Sequence, residues 1–200
     1  GGFSWEKDKD GYDWVAINCQ KEGGKIYFPC KDHPSDEPNE GVDMYITVPN
    51  SLVVSGPGLL QGVTKKKNEA TYHWKTNYTI SNYCVLFNIG KYKVVSKDMT
   101  TINGHVVPIQ FYVLEEDTAE AKKLIELKER DTHILEKYFG EYPFWRDGYA
   151  LVETPYLGME HQGAIAYGNE YLKGYAGYDP LQLGFDYIVI HESGHEWWGN

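Results

Sequence analysis

Residues 191–195 of this chain read His191-Glu192-Ser193-Gly194-His195. On a helix, positions four apart lie on one face, so both imidazoles can reach a single metal ion. Neutral imidazole is a good zinc ligand, and zinc lowers the pKa of a water molecule to roughly 7. Glu192, between the histidines, is placed to take the proton that such a water gives up. The five-residue pattern is only moderately specific on its own. Its flanks sharpen it: Tyr187-Ile188-Val189-Ile190 precede it and Trp197-Trp198 follow it, which predicts a buried helix. Buried polar groups need partners. The competing reading is a hydrogen-bonded polar core without metal.

The elements that must position these residues show two kinds of periodicity. Residues 11 to about 114 read as short strands: Val15-Ala16-Ile17, Lys25 to Phe28, Met44 to Val48, Thr71 to Tyr78, Cys84 to Ile89, Lys93 to Val95 and Val106 to Leu114. Pro49-Asn50 and Asn103-Gly104 are turn signals between them. At Asp117 the period becomes helical. Asp117 with Glu120 has capping-box spacing, and Leu124, Leu127, Ile134, Leu135 and Tyr138 recur at roughly helical intervals until Gly140 and Pro143. Strands are expected at Tyr149–Glu153 and from Met159 to Tyr167, and a last helix opening at Asp179-Pro180. The change of period places a domain boundary near 115, giving an antiparallel β domain over 1–115 and an α/β segment over 116–200.

Composition narrows the function classes. The 200 residues are 42% apolar and 24% charged, within the globular range, which excludes disorder and coiled coil. Nineteen basic against twenty-nine acidic residues give a net charge of −10, which argues against nucleic acid and anionic membrane surfaces as partners. No apolar run approaches the roughly 20 residues of a membrane span. The first residues lack the basic-then-apolar layout of a signal peptide. Three scattered cysteines, Cys19, Cys30 and Cys84, suit small buried hydrophobes, with a Cys19–Cys30 bridge possible but not demanded. Lys65-Lys66-Lys67 reads as a solvated turn.

His195-Glu196-Trp197-Trp198-Gly199-Asn200 resembles the sequel of the metal motif in the gluzincin aminopeptidases, the family of aminopeptidase N and the leukotriene hydrolase. Glu196 stands where glutamine is common there, and Trp198 where phenylalanine is. Gly158-Met159-Glu160-His161-Gln162 resembles that family's second hallmark, Gly-x-Met-Glu-Asn, with the intervening residue missing and His161 in the asparagine's place. Phe28-Pro29-Cys30-Lys31-Asp32-His33-Pro34 and Ile46-Thr47-Val48-Pro49 are similar to family segments in the sheet domain.

The resemblance implies a fold and a set of roles. The fold would be multi-domain α and β: the later portion of a saddle-like β domain, then the start of a thermolysin-like α/β zinc-protease domain. His191 and His195 would hold one Zn2+ and Glu192 would be the catalytic base. Glu160, in the Gly158-Met159-Glu160 segment, would bind the free α-amine of a peptide substrate, with Gln20 assisting. A carboxylate fixed near the metal sets the reacting bond one residue from the cationic terminus. The family's third zinc ligand, a glutamate, and its oxyanion-stabilising tyrosine would fall beyond Asn200, so the segment itself is expected to bind zinc weakly and turn over poorly. The implied activity is zinc-dependent removal of N-terminal residues. A zinc endopeptidase without amine recognition and a non-catalytic scaffold of the same fold are the alternatives.

Overall fold

In a computed structural model, residues 1–20 and 22–199 are described. They form two compact units, Gly1–Tyr92 and Lys93–Asn200.

The first unit holds β1 (Gly2–Lys7), β2 (Asp13–Asn18), β3 (Asp43–Pro49), β4 (Val53–Ser55), β5 (Leu59–Lys65), β6 (Glu69–Lys75) and β7 (Asn88–Gly90). These make a four-stranded antiparallel sheet in the order β1-β2-β7-β4 and a three-stranded one in the order β3-β6-β5. In β6, Ala70, Tyr72 and Trp74 turn inward while their neighbours stay partly exposed, the period-2 pattern of a half-buried strand. Two expected strands are shorter or absent. Lys25–Phe28 is a 3-10 turn over Gly24–Ile26, because the amides of Tyr27 and Phe28 both donate back to the Gly24 carbonyl instead of to a ladder. Of Cys84–Ile89 only the end is strand; Asn82–Cys84 is another 3-10 turn. All three thiols are free, so Cys19 and Cys30 are not bridged. The lysine run closes a turn, with the Lys66 amide donating to the Glu69 carbonyl at 2.8 Å.

The second unit holds β8 (Lys93–Thr100), β9 (Val106–Val113), α1 (Thr118–Phe139), β10 (Tyr149–Glu153), β11 (Gly158–Met159), β12 (Ala164–Tyr167) and α2 (Tyr187–Trp198). Its sheet runs β11-β12-β10-β9-β8. β9, β10 and β12 are parallel, and β8 and β11 are antiparallel to their neighbours. The expected boundary at 115 followed the change of period. The compact units divide earlier because the β8–β9 hairpin joins the parallel sheet through β10, which α1 connects to β9.

One apolar cluster unites Phe111 and Ile109 of β9, Leu124 and Ile125 of α1, Leu151 of β10, Ile165 of β12, and Ile188 and Val189 of α2. Each fully buried aliphatic side chain contributes about 1.5–3 kcal/mol. The face that α1 buries is not the one its apolar residues suggest. Ala121, Leu124 and Ile125 are inside, but the stripe continues with Lys128, Asp131, Thr132 and Glu136, while Ile134 and Tyr138 are exposed. Those polar groups have partners on α1 and elsewhere: Asp131 accepts from Arg130, Thr132 donates to the Lys128 carbonyl, and Glu136 accepts from the Ile102 and Tyr142 amides. The anticipated capping box is not made either. Asp117 caps with its backbone alone, and Glu120 pairs with Lys123.

Candidate metal centre and the turn beside it

The helix that carries the histidines begins seven residues later than Asp179-Pro180 predicts. The Asp179 carboxylate accepts the Leu183 and Gly184 amides and so closes a turn. The N-cap of α2 is Asp186, whose Oδ1 accepts the amides of Ile188 at 3.0 Å and Val189 at 3.4 Å. Such a cap is worth about 0.5–2 kcal/mol. Asp186 is itself fixed from β12 and the following loop: the Tyr167 hydroxyl donates to Oδ2 at 2.6 Å and Asn169 Nδ2 to Oδ1 at 2.9 Å. Burial pushes the Asp186 carboxyl up, against those hydrogen bonds. The helix ends at Gly199, φ 98°, whose amide donates to the His195 carbonyl. Asn200, the last residue of the motif's sequel, lies outside the described residues.

Only one side of α2 is buried. Ile188, Val189, Glu192, Ser193 and Glu196 face inward, whereas His191 and Trp198 are exposed and His195 is half-buried. The wholly buried helix suggested by the flanks is thus an amphipathic one, with its histidines toward the outside. One potential ligand atom from each of His191, Glu192 and His195 lies within 4.8 Å of the others, among the described residues the one such group of three. The imidazole centroids are 5.2 Å apart. His195 Nδ1 lies 3.0 Å from the Gly199 carbonyl, which accepts from it when that nitrogen carries the proton and so frees Nε2. The Tyr187 ring stacks on His191 with its hydroxyl 3.4 Å from Nδ1. The donor set, two imidazoles with a carboxylate between them on a partly open face, fits zinc.

Met159 to Tyr167 is two strands rather than one. β11 pairs back on β12, Gly158 opposite Tyr167 and Met159 opposite Ala166, and the chain reverses between them through Glu160–Gly163. Gly163 sits at φ 68°, a left-handed conformation that favours glycine. Glu160 therefore leaves the strand at the start of a turn, with 9% of its surface exposed. Gly158 lies so close to α2 that a methyl group in its place would meet Ile188 Cγ2 at 2.7 Å and Glu192 Oε1 at 2.8 Å. Burial pushes the Glu192 carboxyl up to about 7, and the negative charge of Glu160 adds to the shift.

The second unit brings together His191, Glu192, His195, Gly158, Met159 and Glu160. Gln20 belongs to the first unit, where it is exposed in an isolated bridge with Glu22. Sequence reasoning missed the polar stripe of α1 behind the site and the cap at Asp186; a second aspartate seven residues after Asp179, directly before the apolar run, was the available signal for the latter.

No protein-family model matches the chain. It is similar to human endoplasmic reticulum aminopeptidase 1, 26% identical over 200 residues, which cover 97% of this chain and 21% of that protein. It is also similar to a leucyl aminopeptidase of Saccharolobus solfataricus, 23% identical over 96% of this chain and 24% of that one. The chain thus spans between a fifth and a quarter of the length of these relatives. Among solved structures, an M1 zinc metallopeptidase from Deinococcus radiodurans superposes with a TM-score of 0.71 at 20% identity, over 98% of this chain and 41% of that one. A variant of that enzyme, bound to a Tyr-Ser-Ala substrate, gives the same TM-score at 19% identity. No helix among the described residues is long and apolar enough to cross a membrane. In sequence the chain is thus similar to aminopeptidases and in fold to an M1 zinc metallopeptidase, consistent with the family its motifs resemble.

Proposed function

We propose that the chain carries the metal-binding helix and the amine-recognition turn of a zinc-dependent aminopeptidase. Its first unit would be part of that family's β domain, and its second the opening of the thermolysin-like catalytic domain. The observation that carries the reading is the convergence of His191, Glu192 and His195 on one helix, with the Glu160 turn packed against it.

His191 and His195 would hold the ion through the nitrogens not engaged by Tyr187 and Gly199. Zinc held there supplies a Lewis acid for the scissile carbonyl and lowers the pKa of the attacking water. Glu192, buried beside the imidazoles, takes the proton from that water and returns it to the leaving amine, as one general base can do in sequence. Glu160 takes the cationic N-terminus of the substrate. With its carboxylate fixed at the start of the turn, the peptide is set so that its first bond, and no later one, meets Glu192. A bound ammonium also relieves the repulsion between Glu160 and Glu192.

Metal content after dialysis, with calorimetric zinc titration and the visible spectrum of the cobalt(II)-loaded chain, tests the reading. One ion per chain, held weakly by the two imidazoles and lost in His195→Ala together with its cobalt spectrum, is expected. A spectrum and stoichiometry unchanged by His195→Ala would refute the assignment of ligands. Binding of leucinamide in preference to N-acetyl-leucinamide, lost in Glu160→Ala, is the corresponding result for the amine. Equal binding of the two would favour an endopeptidase.

A further inference from the structure

Glu196 follows the second histidine immediately, yet points the other way. It is 3% exposed, and its Oε1 accepts the backbone amide of Gly163 at 2.9 Å. Gly163 closes the turn that begins at Glu160. Its carbonyl accepts the Ala150 amide of β10 at 3.0 Å, so this one peptide is pinned from two sides, by the sheet and by the metal helix. The other oxygen of Glu196 accepts from the Tyr142 hydroxyl at 3.4 Å. Lys128, fully buried on α1, lies behind the same helix, its Nζ 3.3 Å from the centroid of the Tyr149 ring and 3.5 Å from Ser193 Oγ.

We propose that Glu196 is a positioning residue for Glu160: by accepting the Gly163 amide it fixes the amine-recognition turn to the metal-binding helix. The inference rests on the aminopeptidase reading and deepens it. The resembled family commonly has glutamine at this position, and a carboxamide oxygen can accept the same amide. The tie matters because Glu160 and the histidines belong to different elements, and an error of about 1 Å between an anchoring group and the reacting atoms costs about 100-fold. A hydrogen bond from the Gly163 N–H to a carboxyl oxygen wholly out of water is a stiff link.

The test compares Glu196→Leu, which removes the acceptor, with Glu196→Gln, which keeps it. Three quantities are read on the zinc-loaded chain: zinc affinity, the ratio of leucinamide to N-acetyl-leucinamide binding, and hydrogen exchange at the Gly163 amide by NMR. Glu196→Leu is expected to leave zinc affinity within about threefold, to lower the amide preference by about 10-fold or more, and to expose the Gly163 amide. Glu196→Gln is expected to preserve all three. Retention of the preference in a folded Glu196→Leu overturns the proposal, as does its equal loss in Glu196→Gln. Should Glu196→Leu fail to fold, free exchange of the Gly163 amide in the unaltered chain overturns it alone. A protected Gly163 amide in a chain that binds both amides equally refutes the aminopeptidase reading instead, which separates the two failures.

Discussion

Two glycines in the second unit predict opposite results for one substitution, Gly→Ala. At Gly158 the new methyl carbon would stand 2.7 Å from Ile188 Cγ2, 2.8 Å from Glu192 Oε1 and 3.3 Å from Glu192 Cγ. Ordinary carbon contacts lie near 3.5–4.0 Å, so the neighbours must give by most of an ångström. Ile188 is 2% exposed and packed on all sides, so the strain falls on the β11 backbone and on the Glu192 side chain. Overpacking of this kind costs about 1–3 kcal/mol. At Gly194 the methyl meets nothing within 4 Å, and the residue lies inside α2. There, alanine is favoured over glycine by about 0.5–1 kcal/mol. At roughly 4–8 °C per kcal/mol for a unit of about a hundred residues, Gly158→Ala should melt at least 4 °C lower and Gly194→Ala several degrees higher. Differential scanning calorimetry reads both, and zinc titration reads the displacement of Glu192 in the first. Equal melting temperatures for Gly158→Ala and the unaltered chain would refute the claimed close approach of β11 to α2.

Asp186→Ala strands two backbone amides, the Tyr167 hydroxyl and the Asn169 amide at a buried site, and should cost about 2–4 kcal/mol with visible loss of helical circular dichroism. Burial, with the charges of Asp117 and Glu116 nearby, pushes the Glu153 carboxyl up to about 8. The folded chain then keeps a proton that the unfolded chain has lost, so this group's contribution to stability falls as pH rises from about 4.5 to about 8. Glu153→Gln should flatten that part of a melting-temperature profile; parallel profiles would contradict it. In any preparation that hydrolyses aminoacyl reporters, Glu192→Gln should lower kcat by about 10²–10⁴-fold while zinc stays bound, and undiminished turnover would exclude Glu192 as the base.

The candidate site residues were the easiest to read. His191, Glu192 and His195 occupy one helix, so their spacing alone brings them together, whereas the Glu160 turn reaches that helix through the packing of Gly158 and the Gly163–Glu196 hydrogen bond. What resisted reading depends on partners remote in sequence. Lys128 and Glu136 look like solvent-facing charges on α1 until Ser193 and the amides of Ile102 and Tyr142 arrive to meet them. The start of α2 was ambiguous for a local reason. Asp179 and Asp186 both precede amides they can cap, and only the burial of Asp186 between Tyr167 and Asn169 decides which opens a helix. The change from strand to helix at Asp117, where the sequence suggests a boundary, is a change of element, and the parallel pairing of β9 with β10 carries the sheet across it.

The end of α2 has a use of its own. Trp197 donates its indole N–H to the Gly140 carbonyl at the end of α1, at 2.9 Å, and Trp198 meets Phe139 edge-on at 4.2 Å. Both indoles follow His195 within three residues, about 4.5 Å of helix rise. The candidate metal centre is thereby built next to its own fluorophores. Emission from this pair would respond to undocking of the helix and would be quenched by a coloured ion such as cobalt(II) at the histidines, with no external dye required.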